Sequence, residues 1–201
     1  TVTARDFGWI GTLEMVERLE ATLATIGRLE RFHGHLYNWY DTRDLRRLEP
    51  GYVSSVDSGN LAGHLIALSN ACRQMVDQPL PVAAALAGIG DAIALAHEAA
   101  SAIGDDRRTQ TLTRRDLDEA LERPTGVNAV VPATPGAWAA RLDELSAHTR
   151  TLSDVAAAIT AERGERAEGE LVTWAEAARL AVTSHARDLS MLLSPQQTTS
   201  L

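Results

Sequence analysis

The sequence predicts an all-α fold. Over most of its 201 residues, apolar side chains recur every three or four positions, which is the period of an amphipathic helix. No strand-like pattern longer than Tyr52–Val56 appears. Near the C-terminus, four apolar residues are spaced by seven, as in packed antiparallel helices: Trp138, Leu145, Leu152 and Ile159.

The first helix is predicted from Asp6 to Arg31. Asp6 is a suitable N-cap, and His33-Gly34 is a suitable end. The apolar stripe consists of Ile10, Leu13, Val16, Leu19, Leu23, Ile26 and Leu29.

Residues 32–59 show no helical period, and we predict a long loop. Long loops in compact domains are often functional. Asp57-Ser58-Gly59-Asn60 supplies capping chemistry for a second helix that residues 78–81 end. We predict its buried face to consist of Leu61, Leu65, Leu68, Cys72 and Met75. The lone Cys72 is predicted to be a small buried hydrophobe.

A third helix is predicted from Pro81 to Ile103, ended by Gly104-Asp105-Asp106, and a short one from Thr113 to Glu122, closed by Pro124. Residues 124–136 contain three prolines and are predicted to form a linker. A helical hairpin is expected over 137–193, with a polar turn at 164–169. Its returning stripe would contain Leu171, Trp174, Ala178, Ala181, His185, Leu189 and Leu192. We expect His185 to be a hydrogen-bonded core histidine and the tail 194–201 to be disordered.

Charge and composition exclude several functions. The net charge is −8 and every basic residue other than histidine is Arg, without a basic stripe, which argues against a nucleic-acid partner. No apolar run is long enough to predict a membrane span, and no signal peptide opens the chain. Since the chain begins at Thr1, we expect it to be an internal piece of a longer protein. His33, His35 and His64 lack metal-ligand spacing, so neither a metal nor a cofactor is predicted.

The 32–59 loop combines aromatic and polar side chains in a pattern typical of carbohydrate recognition. The loop holds all three Tyr of the chain, although aromatic residues make up only 4% of the whole chain. Flat rings stack on sugar rings, and Asp, Asn and Arg bind hydroxyls. The candidate glucan-binding residues are Tyr37, Asn38, Trp39, Tyr40, Asp41, Arg43, Tyr52, Asp57 and Asn60. The alternatives are that the aromatics only pack the loop and that Asp57 is only a helix cap.

Three groups of motifs resemble the central region of cyclic β-1,2-glucan synthases. They are Tyr37-Asn38-Trp39-Tyr40-Asp41-Thr42 with the segment from Tyr52 to Leu65; the opening Ala4-Arg5-Asp6-Phe7-Gly8-Trp9-Ile10-Gly11; and the late Trp174-Ala175 with Ser184-His185-Ala186-Arg187-Asp188-Leu189. The resemblance is strong over residues 4–76 and weak over 105–170. Related motifs also occur in glucoamylase-like domains.

The resemblance implies a role in a very large synthase of the bacterial inner membrane. There, a glycosyltransferase module builds linear β-1,2-glucan, a central glycosidase-like (α/α) barrel closes the ring by transglycosylation, and a phosphorylase-like module trims the chain. Residues 1–123 would form part of that barrel, and 137–193 a helical extension. The implied partners are the glucan chain and the other modules, at the cytoplasmic face of the membrane.

Two functions remain open at this point. The chain either contributes glucan-binding subsites to the ring-closing region, or it is a non-catalytic helical spacer or interaction module of the same synthase. The barrel's catalytic carboxylates are expected elsewhere in the parent, so no catalytic residue is predicted and the chain alone should be inactive. Asp41 and Asp57 remain conceivable as a carboxylate pair.

Overall fold

The computed structural model describes residues 1–103, 114–129, 131–163 and 169–192. Within these ranges it contains helices and one small antiparallel sheet, and the predicted all-α class is confirmed. The elements are α1 (Val2–Asp6), α2 (Thr12–Arg28), β1 (Arg31–Phe32), β2 (His35–Leu36), α3 (Ser55–Val76), α4 (Val82–Ala102), α5 (Arg114–Asn128), α6 (Pro135–Glu162) and α7 (Glu170–Leu192). The predicted tail 194–201, the helix end at 104–106 and the turn residues 164–168 lie outside the described residues.

The chain divides into two compact units. The first comprises residues 1–2 and 16–79, and the second comprises residues 3–15 and 80–201. This division differs from the predicted boundary at 124–136, because α4 and α5 pack against α6 and α7 within the second unit. Helix α5 also continues past Pro124, where we predicted its end, and Pro124 is buried within it. The connection between α5 and α6 is therefore shorter than the predicted linker.

The core of the second unit lies between α4, α5, α6 and α7. The four apolar residues of α6 that are spaced by seven are buried as predicted, with Leu145 and Leu152 fully inaccessible to solvent. Helix α4 contributes a face rich in Ala and Gly, which allows close approach of the neighbouring helices. In length and composition α4 would also suffice to cross a membrane, a property that we did not predict. Nine of its residues are buried against the rest of the second unit, as in the core helix of a globular domain.

Residues 3–15 are held against α4 and α7 by close backbone contact. Gly8 has a φ of +74°, and a Cβ at this position would lie 1.8 Å from the carbonyl oxygen of Ala84. A Cβ on Gly88 would lie 2.2 Å from the carbonyl carbon of Gly8. Only glycine fits at both positions. Buried His185 binds the same segment through Nε2, which lies 2.8 Å from the Gly8 carbonyl oxygen, as expected for a core histidine.

Helix α2 is capped from α7 rather than from its own sequence. The Asp188 carboxylate accepts hydrogen bonds from the backbone N–H groups of Thr12 (2.5 Å) and Leu13 (2.9 Å). One turn before Asp188 in α7, the Ser184 hydroxyl accepts the N–H of Gly11 at 2.8 Å. These are the unpaired donors that open every helix. The predicted cap was wrong: Asp6 is the last residue of α1, and the chain then turns before α2 begins.

In the first unit, α2 is followed by a β-hairpin at the position where we predicted a helix end. His33 and Gly34 have φ values of +48° and +89°, the conformation of a two-residue turn between antiparallel strands. Residues with positive φ can end a helix, but in this structure His33 and Gly34 connect β1 and β2.

Helix α3 differs from prediction in its start and its burial. It begins at Ser55, with Ser54 as the N-cap, so Asp57 lies in the first turn and is not the cap. None of its residues is buried: Leu61, Leu68 and Met75 are half-buried, and Leu65 is exposed. Cys72 is exposed as well, so its predicted burial was wrong. Among the described residues, no other helix makes extensive contact with α3.

Candidate functional site

The first unit contains an open pocket of about 470 Å³ between the β-hairpin and the start of α3. Three of the candidate residues line it, namely Tyr37, Asn38 and Asp57. The other lining residues are Ile26, Arg31, Gly34, His35, Leu36, Ser58, Leu61, Ala62 and Leu65. The wall thus combines apolar side chains with an amide, a carboxylate and a guanidinium.

Asn38 connects the loop to the first turn of α3. Its side-chain oxygen accepts the N–H of Ser54 at 3.0 Å, and its amide nitrogen donates to the Asp57 carboxylate at 2.8 Å. The backbone N–H of Asn38 donates to the carbonyl oxygen of Tyr52 at 2.9 Å. Hydrogen bonds from Asn38 to the end of the loop and to the start of α3 therefore fix this part of the pocket wall, which limits side-chain motion at the site.

Trp39 and Tyr52 form an exposed aromatic pair. Their ring centroids lie 6.0 Å apart with an interplanar angle of 28°. Both side chains remain more than half exposed, at 53% and 54%. Such a contiguous aromatic surface is available to a flat ligand with an apolar face.

The other two tyrosines, Tyr40 and Tyr37, make contacts that stabilise the loop. The Tyr40 hydroxyl donates to the Glu30 carbonyl oxygen at 2.6 Å and accepts the N–H of Tyr37 at 2.8 Å. The Arg47 guanidinium lies 5.1 Å above the centre of the Tyr37 ring, a cation–π contact that occupies one face of that ring. Tyr40 is therefore a structural residue, and Tyr37 offers its remaining surface to the pocket.

Asp41 and Arg43 pair with each other. The carboxylate accepts the Arg43 side chain at 2.7 and 3.0 Å and its backbone N–H at 2.9 Å. These hydrogen bonds, with the charge of Arg46 as a smaller cause, lower the pKa of Asp41 to about 2. The pairing correspondingly raises the pKa of Arg43. Asp41 stays ionised near neutral pH, which does not suit a general acid.

The structure thus separates the nine candidates into groups. Tyr37, Asn38 and Asp57 line the pocket, whereas Trp39 and Tyr52 form the exposed pair. The remaining candidates, Tyr40, Asp41, Arg43 and Asn60, do not line the pocket. Sequence reasoning missed the lining residues His35 and Ser58, and also the N-cap Ser54. The spacing of Ser54 and Asp57 matches a capping box and was a usable signal for Ser54.

Similarity to a known protein indicates the class of cyclic β-1,2-glucan synthases. Over 188 residues, or 93% of its length, the chain is 41% identical to the cyclic β-(1,2)-glucan synthase NdvB of Rhizobium meliloti (strain 1021). The predicted resemblance to this class of synthase is confirmed. The chain spans about 7% of the length of this relative. A comparison with models of known protein families gives no match.

Proposed function

We propose that the chain is a glucan-binding part of a cyclic β-1,2-glucan synthase and that residues 32–59 contact the glucan. The observation that carries this proposal is the exposed Trp39–Tyr52 pair, which leaves aromatic surface uncovered in a loop otherwise tied down by hydrogen bonds. If the aromatics served only to pack the loop, their rings would be expected to be buried.

The pocket and the aromatic pair suit different parts of a sugar. A pyranose ring has an apolar C–H face, which stacks on indole and phenol rings. Its hydroxyls donate to carboxylates and exchange hydrogen bonds with amides, the groups that Asp57 and Asn38 provide at the pocket wall. Different glucose units of one glucan chain would contact the two surfaces.

In this proposal the chain binds and orients glucan for ring closure and holds no catalytic carboxylate. The low pKa of Asp41 and its pairing with Arg43 weaken the case for an Asp41–Asp57 catalytic pair. The proposal further includes an (α/α) barrel completed by other parts of a membrane-anchored parent, whose glycosyltransferase and phosphorylase-like modules are the partners, at the cytoplasmic face of the membrane.

The product profile of the full-length protein tests this proposal. Trp39→Ala and Asp57→Asn should each reduce cyclic β-1,2-glucan while leaving the melting temperature nearly unchanged. Asn keeps a side-chain oxygen that can accept the hydrogen bond from the Asn38 amide, so Asp57→Asn separates binding from folding. Full cyclisation by both variants would refute the glucan-binding role of the loop.

The exposed α3 favours a second function, that of an interaction module within the same parent. Its apolar residues Val56, Ile66 and Val76 are 69%, 65% and 80% exposed. We propose as the alternative that α3 packs against another module of the synthase. Ile66→Glu with Val76→Glu should then leave the melting temperature of this chain unchanged but prevent stable assembly of the full-length protein. Normal assembly would eliminate this alternative.

A further inference from the structure

The second unit holds a groove that sequence reasoning did not identify. Its volume is about 670 Å³, and it lies between α4, α7 and the turn that precedes α2. Trp9 and Trp174 both line it, together with Asp91. The rest of the lining is small or aliphatic: Gly88, Ala92, Ala94, Leu95, Ala177 and Ala181. Large flat rings therefore border a groove lined with small side chains.

A close backbone contact between Gly8 and Gly88 holds the groove in place. Gly8 and Gly88 touch without room for a Cβ, and this contact fixes the turn that carries Trp9. The Trp9 ring also stacks on Phe7, with centroids 5.3 Å apart at 26°. Its Nε1–H donates to the Asp91 carboxylate at 3.2 Å. Trp9 is thus positioned by three contacts and is still 51% exposed.

Asp91 decides which kind of ligand the groove fits. Among the described residues, its carboxylate has one hydrogen bond, from Trp9 through Oδ2, so Oδ1 remains free to accept another. Within the part of the chain that the structure describes, no basic side chain lines the groove. A purely apolar partner helix would bury this carboxylate without a counter-charge, which is costly. A sugar ring instead presents an apolar face to the tryptophans and hydroxyl donors to Asp91.

We propose that this groove binds a pyranose unit of the glucan, as a second subsite separate from residues 32–59. The ligand class rests on the proposed function, whereas the groove itself is defined by Trp9, Trp174 and Asp91.

The four tryptophans of the chain allow a direct test of this proposal. The full 201-residue chain is labelled with 5-fluorotryptophan, and each ¹⁹F signal is assigned with a single Trp→Phe variant. Linear β-1,2-glucan oligosaccharide is then titrated. Trp9 and Trp174 report on the groove and Trp39 on the loop. Trp138 is 3% exposed and serves as the internal control.

The expected result is a saturable shift of the Trp9 and Trp174 signals while the Trp138 signal stays constant. In the same titration, Trp174→Leu should weaken the Trp9 response about fivefold or more, the loss of one aromatic contact. Leu180→Ala should have no effect, since Leu180 is a half-exposed residue of the same helix outside the groove. Asp91→Asn keeps an acceptor for the indole and should weaken the response less than Trp174→Leu.

The outcomes separate this proposal from the glucan-binding role of the loop. Movement of Trp39 alone would refute the groove and leave the loop proposal intact. Movement of Trp9 and Trp174 alone would support the groove and contradict the loop. If no signal moves, both fail. A shift of Trp9 and Trp174 with an Arg-bearing amphipathic helical peptide, but not with glucan, would overturn the sugar assignment in favour of a protein partner.

Discussion

The Asn38 side chain bridges Ser54 and Asp57, the two residues of a capping box at the start of α3. In that motif the N-cap side chain accepts the N–H of the third helical residue, and the side chain of that residue accepts the N–H of the N-cap in return. Here the Ser54 hydroxyl accepts the N–H of Asp57 at 3.1 Å. The N–H of Ser54, however, donates to the side-chain oxygen of Asn38 and not to Asp57. The amide nitrogen of Asn38 in turn donates to the Asp57 carboxylate at 2.8 Å. The loop and α3 therefore share one hydrogen-bonded network.

Asn38→Ala should therefore destabilise the start of α3. The substitution removes the partner of the Ser54 N–H and of the Asp57 carboxylate together, so we expect a loss of about 1–2 kcal/mol in the free energy of unfolding. Denaturant unfolding would measure it. Asp57→Asn keeps an acceptor for Asn38 and should cost less. Equal losses from both variants would contradict the bridging role of Asn38.

Gly88→Ala and Gly63→Ala form a matched pair of helix-interior substitutions. A Cβ on Gly88 would lie 2.2 Å from the backbone of Gly8, whereas nothing lies within 4 Å of a Cβ on Gly63. We expect Gly88→Ala to destabilise the protein by about 3 kcal/mol or more through overpacking. Gly63→Ala should stabilise it by about 0.5–1 kcal/mol through helix propensity. Thermal unfolding of both variants checks the prediction, and similar melting temperatures would contradict the close contact.

Asp188→Ala should remove the cap of α2, although Asp188 is far from the start of α2 in sequence. The carboxylate accepts two N–H groups from the first turn of α2 and is itself 3% exposed. Losing both bonds should cost about 1–2 kcal/mol or more of stability. Hydrogen exchange should show faster exchange at the amides of Thr12 and Leu13 in particular. Uniform acceleration across α7 without an effect at α2 would argue against a remote cap.

His185 predicts how stability depends on pH. Burial lowers its pKa from the usual value of 6.5, against the opposing effects of Gly8, Asp188 and Glu14. The unfolded chain therefore takes up a proton near pH 6.5, whereas the folded chain does so only at lower pH. Stability should be complete above pH 6.5 and fall as the pH drops towards the lowered folded value. Melting temperatures from pH 7.5 to 5 would show this decline.

His185→Gln provides the control for that decline. The amide can still donate to the Gly8 carbonyl but does not titrate, so the variant should lose less melting temperature over the same pH interval. Parallel curves for the two proteins would assign the decline to groups other than His185.

The sequence was informative where helix periodicity and burial coincide. The stripe of α6 was predictable because Trp138, Leu145, Leu152 and Ile159 face a partner helix in the same chain. The stripe of α3 follows the same rule but is not buried, since within the described residues no helix covers it. Periodicity identifies an apolar face without stating what covers it.

Long-range contacts account for the features that could not be predicted. The cap of α2 comes from Ser184 and Asp188, which no local pattern connects to Gly11. The groove combines Asp91 of α4 with Trp174 of α7, and only the packing of these helices brings them together. The hairpin at His33-Gly34 was locally ambiguous, because the same residues suit a helix end and a tight turn.

The central claim, that residues 32–59 bind β-1,2-glucan, is tested most directly by calorimetric titration of linear β-1,2-glucan oligosaccharide into the full-length protein and its variants. We predict that Trp39→Ala and Tyr52→Ala each weaken binding about threefold to tenfold, the loss of one aromatic contact. Val76→Ala is the control, since Val76 is an exposed apolar residue of the first unit that lies outside residues 32–59 and outside the pocket, and it should bind normally. Unchanged affinity in both Trp39→Ala and Tyr52→Ala would contradict the account.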